Sequence, residues 1–134
     1  MNNQQAYNTY LRSKVLTATP GELTLMLYDG AIRFANVAIR AMEEKDIQKA
    51  HDNIIRTENI ITELQTTLNF DYEVAKDFNN IYEYLQQRLV DANLEKNPTI
   101  LEEVVKHLRS VRDTWKEVMK VSAKQQAPAQ QIAN

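Results

Sequence analysis

The chain has no cysteine, only two glycines and three prolines, and no long apolar run. The absence of cysteine excludes disulfides, thiolate metal sites and cysteine nucleophiles. No apolar stretch approaches the length of about 18 residues that a membrane-spanning helix needs. The N-terminus also lacks the apolar centre of a secretory signal. Scarce glycine and proline favour long helices with few turns. We therefore expect a helical protein that is cytoplasmic and not inserted in a membrane.

The charge balance gives no electrostatic reason to expect two further classes of partner. The 134 residues include 16 Lys and Arg against 18 Asp and Glu, which gives a net charge of −2 at pH 7. This balance predicts no binding to nucleic acid or to an anionic membrane surface. Basic side chains repeat along one side of residues 99–123, but carboxylates interleave with them, which favours an ordinary solvated face. The basic residues in question are Arg109, Arg112, Lys116 and Lys120.

Apolar residues recur at a spacing of three and four in four long segments, which is typical of amphipathic helices. Matched lengths of about 33 Å and short connections favour antiparallel neighbours. The pattern predicts an all-α, up-down-up-down four-helix bundle, preceded by a short N-terminal cap segment (1–18). The bundle spans residues 19–123, and the polar residues 124–134 are expected to be a disordered tail. The predicted helices are 20–43, 46–68, 72–93 and 99–123. The predicted core stripes of the last three helices are the seven-residue repeat Ile47, Ile54, Ile61 and Leu68, then Ala75, Phe78, Tyr82, Leu85, Leu89 and Ala92, and finally Leu101, Val104, Leu108, Val111, Trp115 and Val118.

Two of these helices have clear start signals. Thr19 stands before Pro20 and three residues before Glu22, which forms a capping box with proline at the first helical position. The last helix has two possible caps, Thr99 or Asn97. In the N-terminal cap segment, apolar side chains fall at i, i+4 and i+8, but one or two turns are too short to be stable alone.

The helix predicted over residues 20–43 has more apolar surface than a bundle helix needs. Two apolar stripes point to nearly opposite sides of it, so another part of the chain or a partner must cover the second one. Gly30 lies in register with the first stripe and either permits close helix packing or leaves room for a partner side chain. The first stripe is Leu23, Leu27, Phe34, Val37 and Ala41, and the second is Leu25, Tyr28, Ile32, Ala35, Ile39 and Met42.

The two histidines, His51 and His107, could in principle serve two catalytic functions known in helical bundles. A di-iron site needs Glu-x-x-His on two helices, but the residues three before His51 and His107 are glutamine and valine. A histidine phosphotransfer domain could use His51, although the lysine and glycine typical of that family are missing after it. An ordinary surface residue is the simpler interpretation of His51.

One stretch of sequence is more specific than the periodicity. It combines Tyr7 and Tyr10 with VLTATPGEL at residues 15–23 and LMLYDGAIRF at residues 25–34. This combination resembles the N-terminal signature of the flagellar secretion chaperones, the flagellin-specific export chaperone family. Thr19 stands where serine is the familiar residue, and either can cap a helix.

The resemblance implies a chaperone and no enzymatic activity, cofactor or metal. Its client would be the C-terminal segment of flagellin, disordered as a free chain, which folds in apolar grooves of the bundle. Binding would prevent premature polymerisation in the cytoplasm and keep flagellin competent for type III export. The loaded complex would then bind a component of the flagellar export gate. The alternatives are a self-associating helical adaptor and, less favoured, the phosphotransfer domain.

We expect partner binding on the second stripe, with the N-terminal segment as a flap that shields it until the client displaces it. The competing interpretation is that this stripe is simply more core, facing two neighbouring helices at once. The predicted partner-binding residues are Tyr7, Tyr10, Leu11, Val15, Leu16, Leu25, Tyr28, Ile32 and Ile39.

Overall fold

The computed structural model describes residues 3–17 and 19–125, and in this part of the chain helices are the only regular secondary structure. The all-α prediction is confirmed, and each long helix begins and ends within two residues of its predicted bounds. None of the helices described is long and apolar enough to cross a membrane. The predicted tail lies outside the described residues from residue 126 onward. The helices are α1 (Asn3–Thr17), α2 (Pro20–Glu43), α3 (Ile47–Thr66), α4 (Val74–Glu95) and α5 (Pro98–Gln125).

Side-chain caps mark where α2, α3 and α5 begin. The Thr19 hydroxyl accepts a hydrogen bond of 3.2 Å from the Glu22 backbone N–H, as the capping signal predicts. At α5 the Asn97 side chain accepts from the Thr99 N–H at 2.9 Å, so Asn97 is the cap and proline takes the first helical position. These caps set the length of α2 and α5, which lie next to each other in the bundle.

Helices α2 to α5 form the antiparallel bundle, in which α2 packs on α3 and α5, and α4 packs on the same two helices. The antiparallel order is visible where Gln65 bonds Asn79 near one turn and His51 meets Asn93 far from it. The predicted core stripes are buried in the centre of this ring, as heptad-like spacing requires. Buried members on α4 are Ala75, Phe78, Tyr82, Leu85, Leu89 and Ala92, and on α5 they are Leu101, Val104, Leu108, Val111 and Trp115.

Aromatic side chains join three helices in the core. The Tyr28 hydroxyl on α2 shares a short hydrogen bond with the Tyr82 hydroxyl on α4, diagonally across the bundle. The Phe78 ring stacks near Tyr82 and meets Trp115 edge to face, with ring centroids 6.0 Å apart. The Trp115 indole N–H donates to the Gly21 carbonyl at 3.2 Å. This cluster ties the beginning of α2 to the second half of α5.

The surplus apolar surface of α2 is largely covered by its own chain. The first stripe turns toward α3, where Arg56 lies 5.7 Å from the centre of the Phe34 ring. A Cβ at Gly30 would lie 3.3 Å from the Ile60 Cδ1 atom, so Gly30 serves close helix packing. The second stripe enters the core and borders α5. A helix with two apolar sides is thus explained by its position between two neighbours.

Candidate functional site

A groove runs along the surface between α2 and α5. Its larger part, about 540 Å³, is an open depression lined by α2 residues alone, and an adjoining part of about 290 Å³ lies between the two helices. Asn36 and Ile39 line both parts, which makes them one continuous feature. From Asp29 to Arg40 it follows α2 for roughly 17 Å, about three helical turns. The α2/α5 groove is lined by Asp29, Ile32, Arg33, Asn36, Ile39 and Arg40 and by Glu102, Val105, Lys106 and Arg109.

The floor of the α2/α5 groove is apolar. Ile32, Ile39 and Val105 keep 7%, 9% and 5% of their surface exposed, so each belongs to the core and still borders the open space. Leu25, one heptad before Ile32, is half-buried against the same core. Such a floor suits an apolar side chain inserted from outside, because the receiving surface is already held rigidly by the core behind it.

The rim of the groove is charged and mostly basic. Asp29 pairs with Arg112 across the two helices at 3.2 Å, which closes the groove at one end. Arg33 on α2 lies 5.1 Å from the centre of the Phe34 ring. Exposed ion pairs of this kind contribute little to stability, so this end can open at low cost. The basic side of the last helix, predicted to be merely solvated, therefore includes one edge of the groove.

The structure divides the predicted partner-binding residues on α2. Ile32 and Ile39 come together on the groove floor, and Leu25 continues their line. Tyr28 is different, because it is fully buried with its hydroxyl bonded to Tyr82. The prediction that Tyr28 contacts a partner conflicts with this position, since a side chain without exposed surface has nothing to offer a ligand. The alternative of additional core describes Tyr28 correctly.

The predicted flap lies only partly within the described residues and stays a prediction. The Tyr7 and Tyr10 side chains are 45% and 58% exposed, so about half of each is in contact with solvent. The side chains of Leu11, Val15 and Leu16 lie outside the described part of the structure. The buried members of the second stripe belong to the core of the bundle. The helix in the predicted segment 1–18 has 15 residues and is longer than the one or two turns that were predicted.

Removal of residues 3–10 tests how much apolar surface the first half of α1 covers. All eight side chains are exposed, so the free energy of unfolding should change by less than about 0.5 kcal/mol. Binding of the dye ANS, which reports exposed apolar surface, should stay at the level of the unmodified protein. A marked gain in ANS fluorescence would show that this half of α1 does cover apolar surface and would support the predicted flap.

The histidines do not form a catalytic centre with their neighbours. The His51 Nδ1 atom lies 3.0 Å from the Asn93 amide nitrogen, in an exposed position. The His107 ring packs edge to face on Tyr84, with centroids 5.8 Å apart. Among the residues that the structure describes, no three His, Cys, Asp or Glu side chains are grouped to hold a metal ion. The groove remains the candidate functional site.

Of the ten residues that line the groove, the sequence predicted only Ile32 and Ile39 as binding residues. Asn36, Val105, Lys106 and Arg109 were not singled out as binding residues, although Val105 stands directly beside the core position Val104. An apolar residue next to a core stripe was the available signal. It could not be interpreted without knowing that α5 lies beside this edge of α2.

Comparison with known proteins gives one consistent result. Residues 2–122 match the family described as "Flagellar protein FliS". The chain is 40% identical to the flagellar secretion chaperone FliS of Bacillus subtilis (strain 168), over 90% of this chain and 91% of that one. It is 34% identical to the protein of the same name from Campylobacter jejuni, over 88% and 94% of the two chains.

A solved structure described as a flagellar chaperone from bacteria has the same fold. The TM-score is 0.70 at 16% sequence identity, over 89% of this chain and 98% of that one. Sequence and fold thus agree along nearly the whole chain, including the signature around α2. The chain therefore belongs to the FliS family of flagellar secretion chaperones, which are chaperones and not enzymes.

Proposed function

We propose that this chaperone binds the disordered C-terminal segment of flagellin and that the α2/α5 groove receives part of that segment. In the cytoplasm, binding prevents premature polymerisation and keeps flagellin competent for type III export. The family and the names of the relatives support a client in flagellar export. The observation that carries the proposal is an open groove with an apolar floor on a bundle whose other core positions are filled.

The dimensions of the groove favour a helical client segment. A length of roughly 17 Å accommodates about three turns of helix but only about five extended residues. An amphipathic helix can place apolar side chains at i, i+3 and i+7 over Ile32, Ile39 and Val105. A client that folds on binding loses about 2–5 kcal/mol of the gross interaction energy to ordering. A groove preformed by core residues limits the corresponding loss on the side of the chaperone.

A loaded chaperone also needs a surface for the export gate that the client does not occupy. Helix α1 offers one, because Tyr7 and Tyr10 are both exposed and lie one turn apart. Tyrosines supply large contact area with few rotatable bonds, which makes them efficient binding residues. We assign Tyr7 and Tyr10 to this second surface, with Leu11, Val15 and Leu16 as further members of the same helix.

Isothermal titration calorimetry with the last 40 or so residues of the organism's own flagellin, a length of several helical turns, tests the proposal. We expect a 1:1 complex with a large negative heat-capacity change, because apolar surface is buried and the client folds. Circular dichroism should show a gain of helix beyond the sum of the separate spectra. The matched control is the same peptide with its order of residues scrambled.

The opposite result would be equally clear. If the bundle is folded and the flagellin segment produces no heat at several temperatures, flagellin is not the client. Equal binding of the scrambled peptide would mean that the groove recognises composition alone, which is not what a specific export chaperone needs.

A further inference from the structure

The α2/α5 groove has a charge opposite in sign to that of the whole chain. Its lining residues carry four cations and two carboxylates, a net charge of +2, whereas the protein has a net charge of −2. One of the two carboxylates, on Asp29, is already paired with Arg112, which adds a further cation at the edge. The four lining cations are Arg33, Arg40, Lys106 and Arg109.

Most of these cations have no carboxylate of their own. In residues 3–17 and 19–125, no ion pair forms at Arg40, Lys106 or Arg109. By contrast, Arg88 outside the groove bonds both Asp91 and Glu103. Positive charges lined up along a groove attract an oppositely charged ligand and steer its approach.

The arrangement of charge and apolar surface defines the ligand. Arg33 and Arg40 lie with Asp29 on the α2 side of the groove, Lys106 and Arg109 lie with Glu102 on the α5 side, and the apolar floor lies between the two sides. A helix lying in this groove meets apolar surface along its centre and an excess of one cation along each edge. Its complement is a stripe of apolar side chains flanked on both sides by Asp or Glu.

The same charges disfavour α1 as the segment that occupies the groove. Helix α1 has the sequence NQQAYNTYLRSKVLT, which contains one arginine, one lysine and no carboxylate. Neither α1 of the same molecule nor α1 of a second copy complements a basic rim, because like charges repel at short distance. The groove is therefore better suited to a different, acidic chain than to self-association.

We infer that the α2/α5 groove selects, within its client, a three-turn amphipathic helix whose apolar stripe is flanked by carboxylates. The inference rests on the proposed function and adds to it the chemistry by which the bound segment is recognised. The apolar floor supplies affinity, and the basic rim supplies orientation and discrimination between segments that are equally apolar.

Two synthetic peptides of about 14 residues, long enough to fill three to four turns, test the inference directly. Both carry the same apolar residues at i, i+3, i+4 and i+7, but one has glutamate and the other lysine at the flanking positions. The glutamate peptide should bind at least about tenfold more tightly at low salt, and raising the salt concentration should reduce this preference.

Reversal of the rim charge is the complementary experiment. In the Lys106→Glu/Arg109→Glu variant the order of the two peptides should invert, because the groove then carries a net negative charge. Both side chains are exposed, so the melting temperature should stay nearly unchanged. The matched control is Lys49→Glu/Lys76→Glu, which makes the same change in net charge on exposed positions of α3 and α4 and should leave the order as it was.

Titration of the flagellin segment against the same variants separates this inference from the proposed function. If the flagellin segment binds and the Lys106→Glu/Arg109→Glu variant lowers its affinity about tenfold, the proposed function and the charge inference are both supported. If the segment binds equally well to all variants, or the two peptides bind alike or not at all, the charge inference is wrong and the chaperone function stands. If the segment does not bind but the glutamate peptide does, flagellin is not the client and the groove accepts another acidic helix.

Discussion

Replacement of Tyr82 by phenylalanine is expected to lower the free energy of unfolding by about 1–3 kcal/mol, because the Tyr28 hydroxyl would stay buried without a partner. Within the part of the chain that the structure describes, no buried side-chain polar atom lacks a hydrogen bond. Replacing both tyrosines removes donor and acceptor together and should restore most of the loss. Urea unfolding followed by circular dichroism measures all three variants.

The control for this pair is Tyr84→Phe. The Tyr84 hydroxyl also donates a hydrogen bond, to Glu103 at 3.1 Å, but the side chain is exposed. Water replaces a lost partner there, so the change should be within about 0.5 kcal/mol. A loss at Tyr84 as large as that at Tyr82, or a double variant as unstable as the sum of the single ones, would contradict the assignment of a coupled buried pair.

The same pair gives the protein a particular sensitivity to high pH. Burial raises the pKa of Tyr82 to about 12 and raises the pKa of Tyr28 further. In the unfolded chain both ionise near pH 10, so above that pH the unfolded state has lost protons that the folded state retains. Stability should fall between about pH 10 and 12 by up to 1.4 kcal/mol per pH unit for each group. The double phenylalanine variant should show a shallower fall.

Filling the groove should weaken client binding strongly while the bundle stays folded. Asn36 lies where the two parts of the groove meet, is half-buried and belongs to no core stripe. A tryptophan at this position would occupy the space that the client needs and would still pack on Ile39. We expect the affinity of the flagellin segment to fall at least 30-fold, about the 2 kcal/mol of a binding hot spot.

Asn59→Trp is the matched control, because Asn59 is exposed on α3. Both variants should keep the melting temperature of the unmodified protein, which shows that any loss of binding is local. If Asn36→Trp binds the flagellin segment as tightly as the control does, the client lies elsewhere. The half-buried apolar side chains between α2 and α3, such as Leu27 and Ile60, would then be the next surface to examine.

The periodicity of the sequence was sufficient to predict the four long helices and most of their buried positions. The α4 stripe from Ala75 to Ala92 is buried at every predicted position. On α3 the same seven-residue repeat predicts Ile47 as core, yet its side chain is 53% exposed because it stands at the end of the bundle. Spacing alone records which face of a helix is apolar and says nothing about where the neighbouring helices end.

The candidate site could be predicted only in part for a related reason. Ile32 and Ile39 were identified because they belong to a visible stripe, but so does Tyr28, which differs from them only in facing the centre of the bundle. The hydrogen bond between Tyr28 and Tyr82 joins residues 54 positions apart, and no local pattern encodes a diagonal contact of that kind. The rim of α5 was missed because its role depends on its position beside α2 and not on its own periodicity.

The position of Trp115 makes its intrinsic fluorescence a reporter of one part of the bundle. Trp115 is the only tryptophan of the chain, buried between Phe78 and the beginning of α2. It stands six residues, about 9 Å along α5, beyond Arg109, the last α5 residue that lines the groove, and three residues beyond Arg112, whose ion pair with Asp29 closes it. We therefore expect its emission to report whether the first turn of α2 is attached to α5 and to change little when the groove is occupied. Spectroscopy of the unlabelled protein follows the integrity of the bundle separately from its loading.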